Sequence, residues 1–222
     1  MSVLVSGTHE CPLCGAGSAD PIGIAAGRDL FLCRVCDLVF VTPSQHLTPD
    51  RERERYSQHD NSADNAEYVR YLEGVARVLD TIPIDDPEVL DFGCGEEAVL
   101  TEILHERGVR CAAYDPLYGI GTDTLSRAYD VVIACEVIEH LRDPAAELGL
   151  IERLVRTGGY LVVRTQLRPE NPEAVSRWWY AQDPTHICLF SERSLRWMAH
   201  AIHMPLQRVD LKGTAVLGPH HT

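Results

Sequence analysis

Apolar positions along this chain switch between a helical spacing and short continuous runs, and the alternation outlines a fold. From Ala66 the apolar residues Val69, Leu72, Val75 or Ala76, and Leu79 recur at helical spacing until Pro83 ends the pattern. Val89-Leu90-Asp91-Phe92 is a buried-strand run, followed by a glycine loop. A helix from Ala98 to Arg107 then carries Leu100, Ile103 and Leu104 on its core face, with Gly108 as its stop. "VRCAAYD" and "YDVVIAC" read as further strands. Asp143-Pro144 opens a helix whose core face is Leu148, Ile151 and Leu154 or Val155, and Gly158-Gly159 are expected to end it before the strand "YLVVRTQL". Ser191 caps a last helix with Leu195, Met198 and Ile202, and "LQRVDLKGTAVL" reads as a hairpin. Strands alternating with helices predict an α/β fold with a mostly parallel sheet covered on both faces.

Before residue 66 the pattern changes twice. "DLFLC" reads as a strand, whereas "SQHLTPDRERERYSQHDNSADN" has no regular apolar period and predicts a charged linker or lid, its Arg/Glu run reading as a solvated helix face, with Tyr56 and His59 as lid candidates. The expected division is therefore residues 1–43, 44–65 and 66–222.

The 222 residues suffice for one full-sized core with a small appendage. With 33 acidic against 20 basic residues the formal charge is −13, and no long Lys/Arg run offsets it, so nucleic acid is not the expected partner. The start "MSVLVSGTHECPLC" lacks a basic n-region and a long apolar core, and no stretch reaches the ~20 apolar residues of a membrane span, which predicts a cytoplasmic protein without membrane insertion. Oligomeric state is not legible.

Four of the eight cysteines form two C-x-x-C knuckles, Cys11/Cys14 and Cys33/Cys36, separated by eighteen residues. That spacing closes a tetrahedral Zn²⁺ site, and four thiolates leave no open position, so the zinc is structural. It replaces the core that a segment of some forty residues cannot build alone. Cys94, Cys111, Cys135 and Cys188 read as unpaired small core residues.

Ligands of an open parallel sheet bind beyond the carboxyl ends of its strands. There Gly93 and Gly95 let a ligand approach the backbone, Asp91 closes one strand, and Asp115 closes the next, where a carboxylate can accept from ribose hydroxyls. The G-C-G-E-E-A loop departs from the G-x-G-x-x-G of nicotinamide enzymes. "VLDFGCG", "AYDPLY", "YDVVIACEVIEHL", "RTGGYLVV" and the hairpin, in this order across roughly 66–217, resemble the class I S-adenosylmethionine-dependent methyltransferases, a Rossmann-like fold with an antiparallel terminal hairpin. With "EVIEHL", "DPTHICLFS" and the zinc ribbon the chain is most similar to bacterial members that join the two modules. The resemblance implies that Gly93 and Gly95 contact the cofactor's methionine part, that Asp91 organises that site, and that Asp115 holds the ribose. Two departures stand out: Glu97 replaces a third glycine, and only fourteen residues separate Asp115 from Asp130, too few for the usual helix, strand and helix.

Glu136, Glu139 and His140 fall at i, i+3 and i+4, so on a helical turn they share one side, a cluster able to hold a hard divalent ion. His186, in "DPTHICLFS", is expected after a strand and before the capped helix, as a further ligand, a general base, or a structural histidine bonded to Asp183. This arrangement resembles the metal site of quinone-ring and small-RNA O-methyltransferases, which implies Mg²⁺ or Mn²⁺ at the accepting oxygen. His186, Glu136 and His140 are thus the catalytic candidates, and Glu136 also a cofactor contact. Trp178, Trp179 and Tyr180 are candidates for a flat wall against a ring or sugar of a small-molecule acceptor. The expected reaction is methyl transfer to an oxygen, nitrogen or carbon. The competing expectation is a non-catalytic partner-binding scaffold, favoured by Glu97 and the shortened middle and opposed by the polar clusters at strand ends.

Overall fold

The computed structural model describes residues 9–221. The expectation about a signal-type leader falls partly on residues 1–8, outside the described residues. Among the described residues no helix is long and apolar enough to cross a membrane.

The main sheet runs β5 (Arg110–Tyr114), β4 (Glu88–Phe92), β6 (Tyr129–Cys135), β7 (Val155–Arg164), β10 (Thr214–Leu217), β9 (Leu206–Val209). The first four strands are mutually parallel, and β10 pairs antiparallel with both β7 and β9. Fourteen residues between Asp115 and Asp130 leave no room for a further crossover unit, so β5 is an edge strand, followed only by a 3-10 turn at Thr122–Ser126. Both sheet faces are covered. On one, Val89, Val131, Ile133 and Val162 pack with α2 (Ala66–Ala76) and α3 (Val99–Glu106). On the other, Leu90, Val132, Leu161 and Val163 pack with α4 (Pro144–Leu154) and α6 (Glu192–Ala201). Asn65, Asp143 and Ser191 accept backbone N–H bonds as caps of α2, α4 and α6.

One element boundary differs from expectation. The chain passes from α4 straight into β7 at Val155, so Gly158 and Gly159 lie inside the strand. The reason is close backbone approach: a Cβ on Gly159 would stand 2.7 Å from the Asp130 carbonyl oxygen, beside the register shift between β6 and β7. Within the charged segment, Pro49–Tyr56 forms a helix, α1, started by Pro49 at its first position.

The N-terminal segment builds a second sheet from β1 (Ala19–Ala25), β2 (Arg28–Cys33) and β3 (Val39–Phe40). Its fourth strand is β8 (Cys188–Leu189), paired with β3 from far along the chain. Phe31, Leu38 and Phe40 share one continuous core with Ile187, Phe190 and Leu195.

Candidate active site

At the N-terminal end, Cys11 Sγ stands 3.5 Å from Cys36 Sγ, and Cys14 Sγ 3.5 Å from Cys33 Sγ. All four sulfurs lie within 4.8 Å of one another, and all four cysteines are free of disulfides. A zinc tetrahedron with ~2.3 Å bonds sets sulfurs roughly 3.8 Å apart, so this donor set fits Zn²⁺. The knuckles turn because Gly15 and Asp37 take positive φ and donate back to the carbonyls of Cys11 and Cys33. Of the remaining cysteines, Cys94 and Cys188 are buried, whereas Cys111 and Cys135 are only partly so.

Beyond the carboxyl ends of β4, β5 and β6 lies a cavity of about 970 Å³. That is near the top of the roughly 300–1,000 Å³ range of ligand sites, enough for a nucleoside-sized cofactor and a second small molecule. Gly93 and Gly95 line it with φ of 78° and 72°. A Cβ on Gly93 would meet Val137 Cγ2 at 2.5 Å, while one on Gly95 would meet nothing within 4 Å. Gly95 therefore leaves a bare backbone facing ligand space. Asp91, fully buried beneath the loop, accepts from Thr101 Oγ1 at 3.0 Å, and burial pushes its carboxyl up to about 7. Asp115 accepts from Gly95 N at 3.0 Å through one oxygen and from the N–H groups of Leu117 and Tyr118 through the other. It thereby fixes both loops, and the oxygen that takes only the Gly95 bond keeps a lone pair. Glu97 does not enter a helix: α3 starts at Val99 after a left-handed Ala98, and Glu97 Oε2 instead accepts from Ala63 N at 3.0 Å.

The same cavity reaches the "EVIEHL" turn. Glu136, Glu139 and His140 do not share one helical turn as expected. Glu136 takes φ 53° at the end of β6, and only Ile138–His140 form a 3-10 turn. Glu136 accepts from Tyr71 Oη at 2.5 Å and from Tyr180 Oη at 2.8 Å, and burial together with the neighbouring Glu139 raises its carboxyl to about 7. The cluster that forms is Glu139, His140 and His186, whose donor atoms lie within 4.8 Å of one another. Glu136 stands beside this set, held by its two tyrosines.

His186 also lies elsewhere than expected. It follows a 3-10 turn at Trp179–Gln182 and immediately precedes β8. Its Nδ1 donates to the Tyr180 carbonyl at 2.7 Å, not to Asp183, and His140 Nδ1 donates to the Thr185 carbonyl at 3.0 Å. These bonds leave each Nε2 a lone pair, the tautomer in which a ligating imidazole is oriented by its other nitrogen. Glu139 is fully buried; its Oε1 lies against the same Tyr180 hydroxyl, whose single proton Glu136 and Glu139 share, and its Oε2 has no hydrogen-bond partner. A buried carboxylate oxygen left so is costly unless a cation or proton joins it. The residues therefore fit a divalent ion. Burial, reinforced by His140, pushes the His186 imidazole down to about 3, and burial lowers that of His140 as well.

The charged segment closes over this cleft. Arg142 donates to Glu52 at 2.6 Å and to the Leu47 carbonyl at 2.7 Å, and Arg53 reaches the Leu117 carbonyl at 3.0 Å. Arg55 bonds the Asp183 carboxylate at 2.8 Å, His59 stands 3.2 Å from it, and the Tyr56 ring packs edge-on against His140. Burial pushes the Asp183 carboxyl up, but bonds from Thr185 and Arg55 outweigh it and hold the group well below the usual range. Trp179 is 68% exposed at the rim, Trp178 is half-buried, and Tyr180 is buried.

A methyltransferase domain family matches residues 58–202. The chain belongs to that family. Its curated relatives include the ubiquinone biosynthesis O-methyltransferase of Pseudomonas aeruginosa, 28% identical over 153 residues that cover 58% of this chain. The chain spans about three-fifths (61%) of that relative's length. Among solved structures, the 1,6-didemethyltoxoflavin-N1-methyltransferase of Burkholderia thailandensis, with bound S-adenosylhomocysteine, shares the fold at TM-score 0.54. It is 16% identical, and the match covers 91% of this chain and 100% of its own. The magnesium protoporphyrin IX methyltransferase of Synechocystis, also with S-adenosylhomocysteine, aligns at TM-score 0.51, 16% identity, 76% and 91% coverage. The fold is thus that of class I methyltransferases.

Three participants in the candidate site had no signal in local spacing. Tyr71 lies on the core-facing helix α2, yet its hydroxyl reaches Glu136 and receives a bond from Arg164 Nε at 3.0 Å. Tyr180 looked like part of an aromatic wall, but its hydroxyl joins Glu136 and Glu139. Arg28 lies in the ribbon, over a hundred and fifty residues before the loop it contacts.

Proposed function

We propose that this methyltransferase transfers the methyl group of S-adenosylmethionine to an oxygen of a small-molecule acceptor, with Glu139, His140 and His186 holding a divalent cation beside the accepting oxygen. The observation that carries the reading is the convergence of an unpaired buried Glu139 oxygen with two imidazoles whose Nδ1 protons are committed to carbonyls. Gly93, Gly95 and Asp115 would hold the methionine and ribose ends of the cofactor, and the exposed face of Trp179 supports a flat acceptor at the rim. When bound, the sulfonium supplies an electrophilic methyl and the cation acidifies the acceptor hydroxyl.

The chain's own residues align the groups and exclude water. Glu136, pinned by Tyr71 and Tyr180, lines the same cavity as the glycine loop, and Arg55 and Tyr56 of α1 line it together with His59 just after that helix. Holding nucleophile and methyl in line is the main demand of such a transfer. His186 serves this reading as a ligand rather than as a base. An imidazole pushed down to about 3 is a weak proton acceptor at neutral pH, whereas its lone pair remains available to a metal.

Calorimetric titration with S-adenosylhomocysteine, and titration with Mn²⁺ followed by electron paramagnetic resonance, test the two halves. Saturable binding of both is expected, with Glu139→Gln weakening Mn²⁺ at least tenfold and leaving S-adenosylhomocysteine affinity nearly unchanged. Absence of S-adenosylhomocysteine binding would sink the methyl-transfer reading; indifference of Mn²⁺ to Glu139→Gln would sink the metal site.

A further inference from the structure

We propose that Arg28, in the four-cysteine ribbon, is a positioning residue for the Ala181–His186 loop, so that the ribbon serves the active site by holding the backbone that carries His186. Arg28 opens β2 and is only 5% exposed. Its Nη1 donates to the carbonyls of Pro184 and His186, both at 2.9 Å. Its Nη2 donates to those of Ala181 at 2.9 Å and Asp183 at 2.8 Å. Four carbonyls of one irregular loop thus converge on one guanidinium of the ribbon sheet.

The arrangement answers a need of the loop itself. Buried carbonyls that point inward require donors, and beyond the 3-10 turn that ends at Gln182 this stretch supplies only the bond from His186 N to the Asp183 carbonyl at 3.2 Å. Pro184 in addition has no N–H. A planar guanidinium offers five donors in a fixed fork and cannot be deprotonated at working pH; a lysine offers three from a single point. The carbonyl of Tyr180, next to the clamped set, receives the His186 Nδ1 proton. Thr185, inside the set, receives that of His140. Arg28 touches neither ring, so it acts on both through backbone geometry.

The rest of the ribbon braces the same stretch. Val41 N donates to the Ile187 carbonyl at 2.9 Å, and β3 pairs with β8 one residue later. Asp37, in the second knuckle, takes bonds from Arg168 Nη2 and from Ser191 Oγ. From the opposite side Asp183 is held by Arg55 and His59 of the roof segment. The loop is therefore gripped permanently from the ribbon and separately from the cleft.

The link to catalysis rests on the reading of His186 given above; the clamp itself does not. The test uses the full-length, zinc-loaded protein with Arg28→Met and Arg28→Lys. The readouts are zinc per chain, S-adenosylhomocysteine affinity, histidine-ring nitrogen spectra and Mn²⁺ titration. The spectra are assigned with His186→Gln and His140→Gln. Expected is retention of zinc and of S-adenosylhomocysteine affinity within about twofold, with His186 and His140 losing their single Nδ1–H tautomer pattern. Mn²⁺ affinity should fall at least tenfold in Arg28→Met and less in Arg28→Lys. Unchanged ring spectra in Arg28→Met would overturn the proposal, and so would joint loss of zinc and S-adenosylhomocysteine binding in both variants, which would make Arg28 a general folding residue. If the unsubstituted protein binds no Mn²⁺, the metal reading fails while the ring spectra still decide the role of Arg28.

Discussion

Asp91 shows how one buried carboxyl weighs on the stability of the protein. Its carboxyl lies under the glycine loop with Thr101 as its side-chain partner, and burial raises it from 3.8 to about 7. A group whose folded pKa exceeds its unfolded one stabilises most at low pH, and that contribution is lost as pH rises from about 4 through about 7. On that shift the loss is on the order of 4 kcal/mol. Asp91→Asn should therefore flatten the fall in stability between pH 4.5 and pH 7.5, read from denaturant midpoints of the apo protein. An unaltered slope would mean that Asp91 does not titrate there. The opposite sign applies to His186, whose depressed imidazole withdraws stability as pH falls below about 6.5 toward about 3. The two slopes oppose each other and place maximal stability between them.

At the scale of elements, the strand-to-loop turn after β4 and the helix α1 divide the work of binding. Gly95 must adopt a φ of 72° and faces open ligand space. Gly95→Ala should cost about 1 kcal/mol of stability from its left-handed backbone. It should weaken S-adenosylhomocysteine at least tenfold in calorimetry, because the added methyl enters the cavity; equal affinity would show that the cofactor does not lie against this turn. Glu97 has a different task from the glycine it replaces. By accepting from Ala63 it ties the segment after α1 to the loop, so the departure from the family pattern serves closure of the roof. Glu97→Ala should speed S-adenosylhomocysteine release several-fold in stopped-flow measurements with little change in stability, since the bond is exposed. An unaltered release rate would argue against the tie.

At the scale of the molecule, the ribbon is not an appendage on a string. β8 completes its sheet, and its core continues into that of the catalytic fold. Loss of the metal should therefore be felt throughout. Cys33→Ser should remove bound zinc, counted by mass spectrometry, and lower the melting temperature of the whole chain in one cooperative transition, because a shared core cannot unfold by halves. A separate low-temperature transition of the ribbon, with the main transition unmoved, would contradict this.

The sequence by itself determined whatever depends on neighbours along the chain. Helical spacing and caps set α2, α3, α4 and α6, continuous apolar runs set β4 to β7, and C-x-x-C spacing brought four sulfurs to one point. The short distance from Asp115 to Asp130 already excluded the usual helix, strand and helix there. Tertiary structure alone decided which polar groups meet. Glu136 leaves the Glu139–His140 turn because β6 ends in a left-handed residue, and His186 joins that turn because β8 is drawn into the ribbon sheet. Tyr71, Tyr180 and Arg28 enter the site through contacts spanning 41 to 158 residues, which carry no local period. Spacing reports what a side chain can face within its own element; which buried donor satisfies which buried acceptor is settled only when the elements pack.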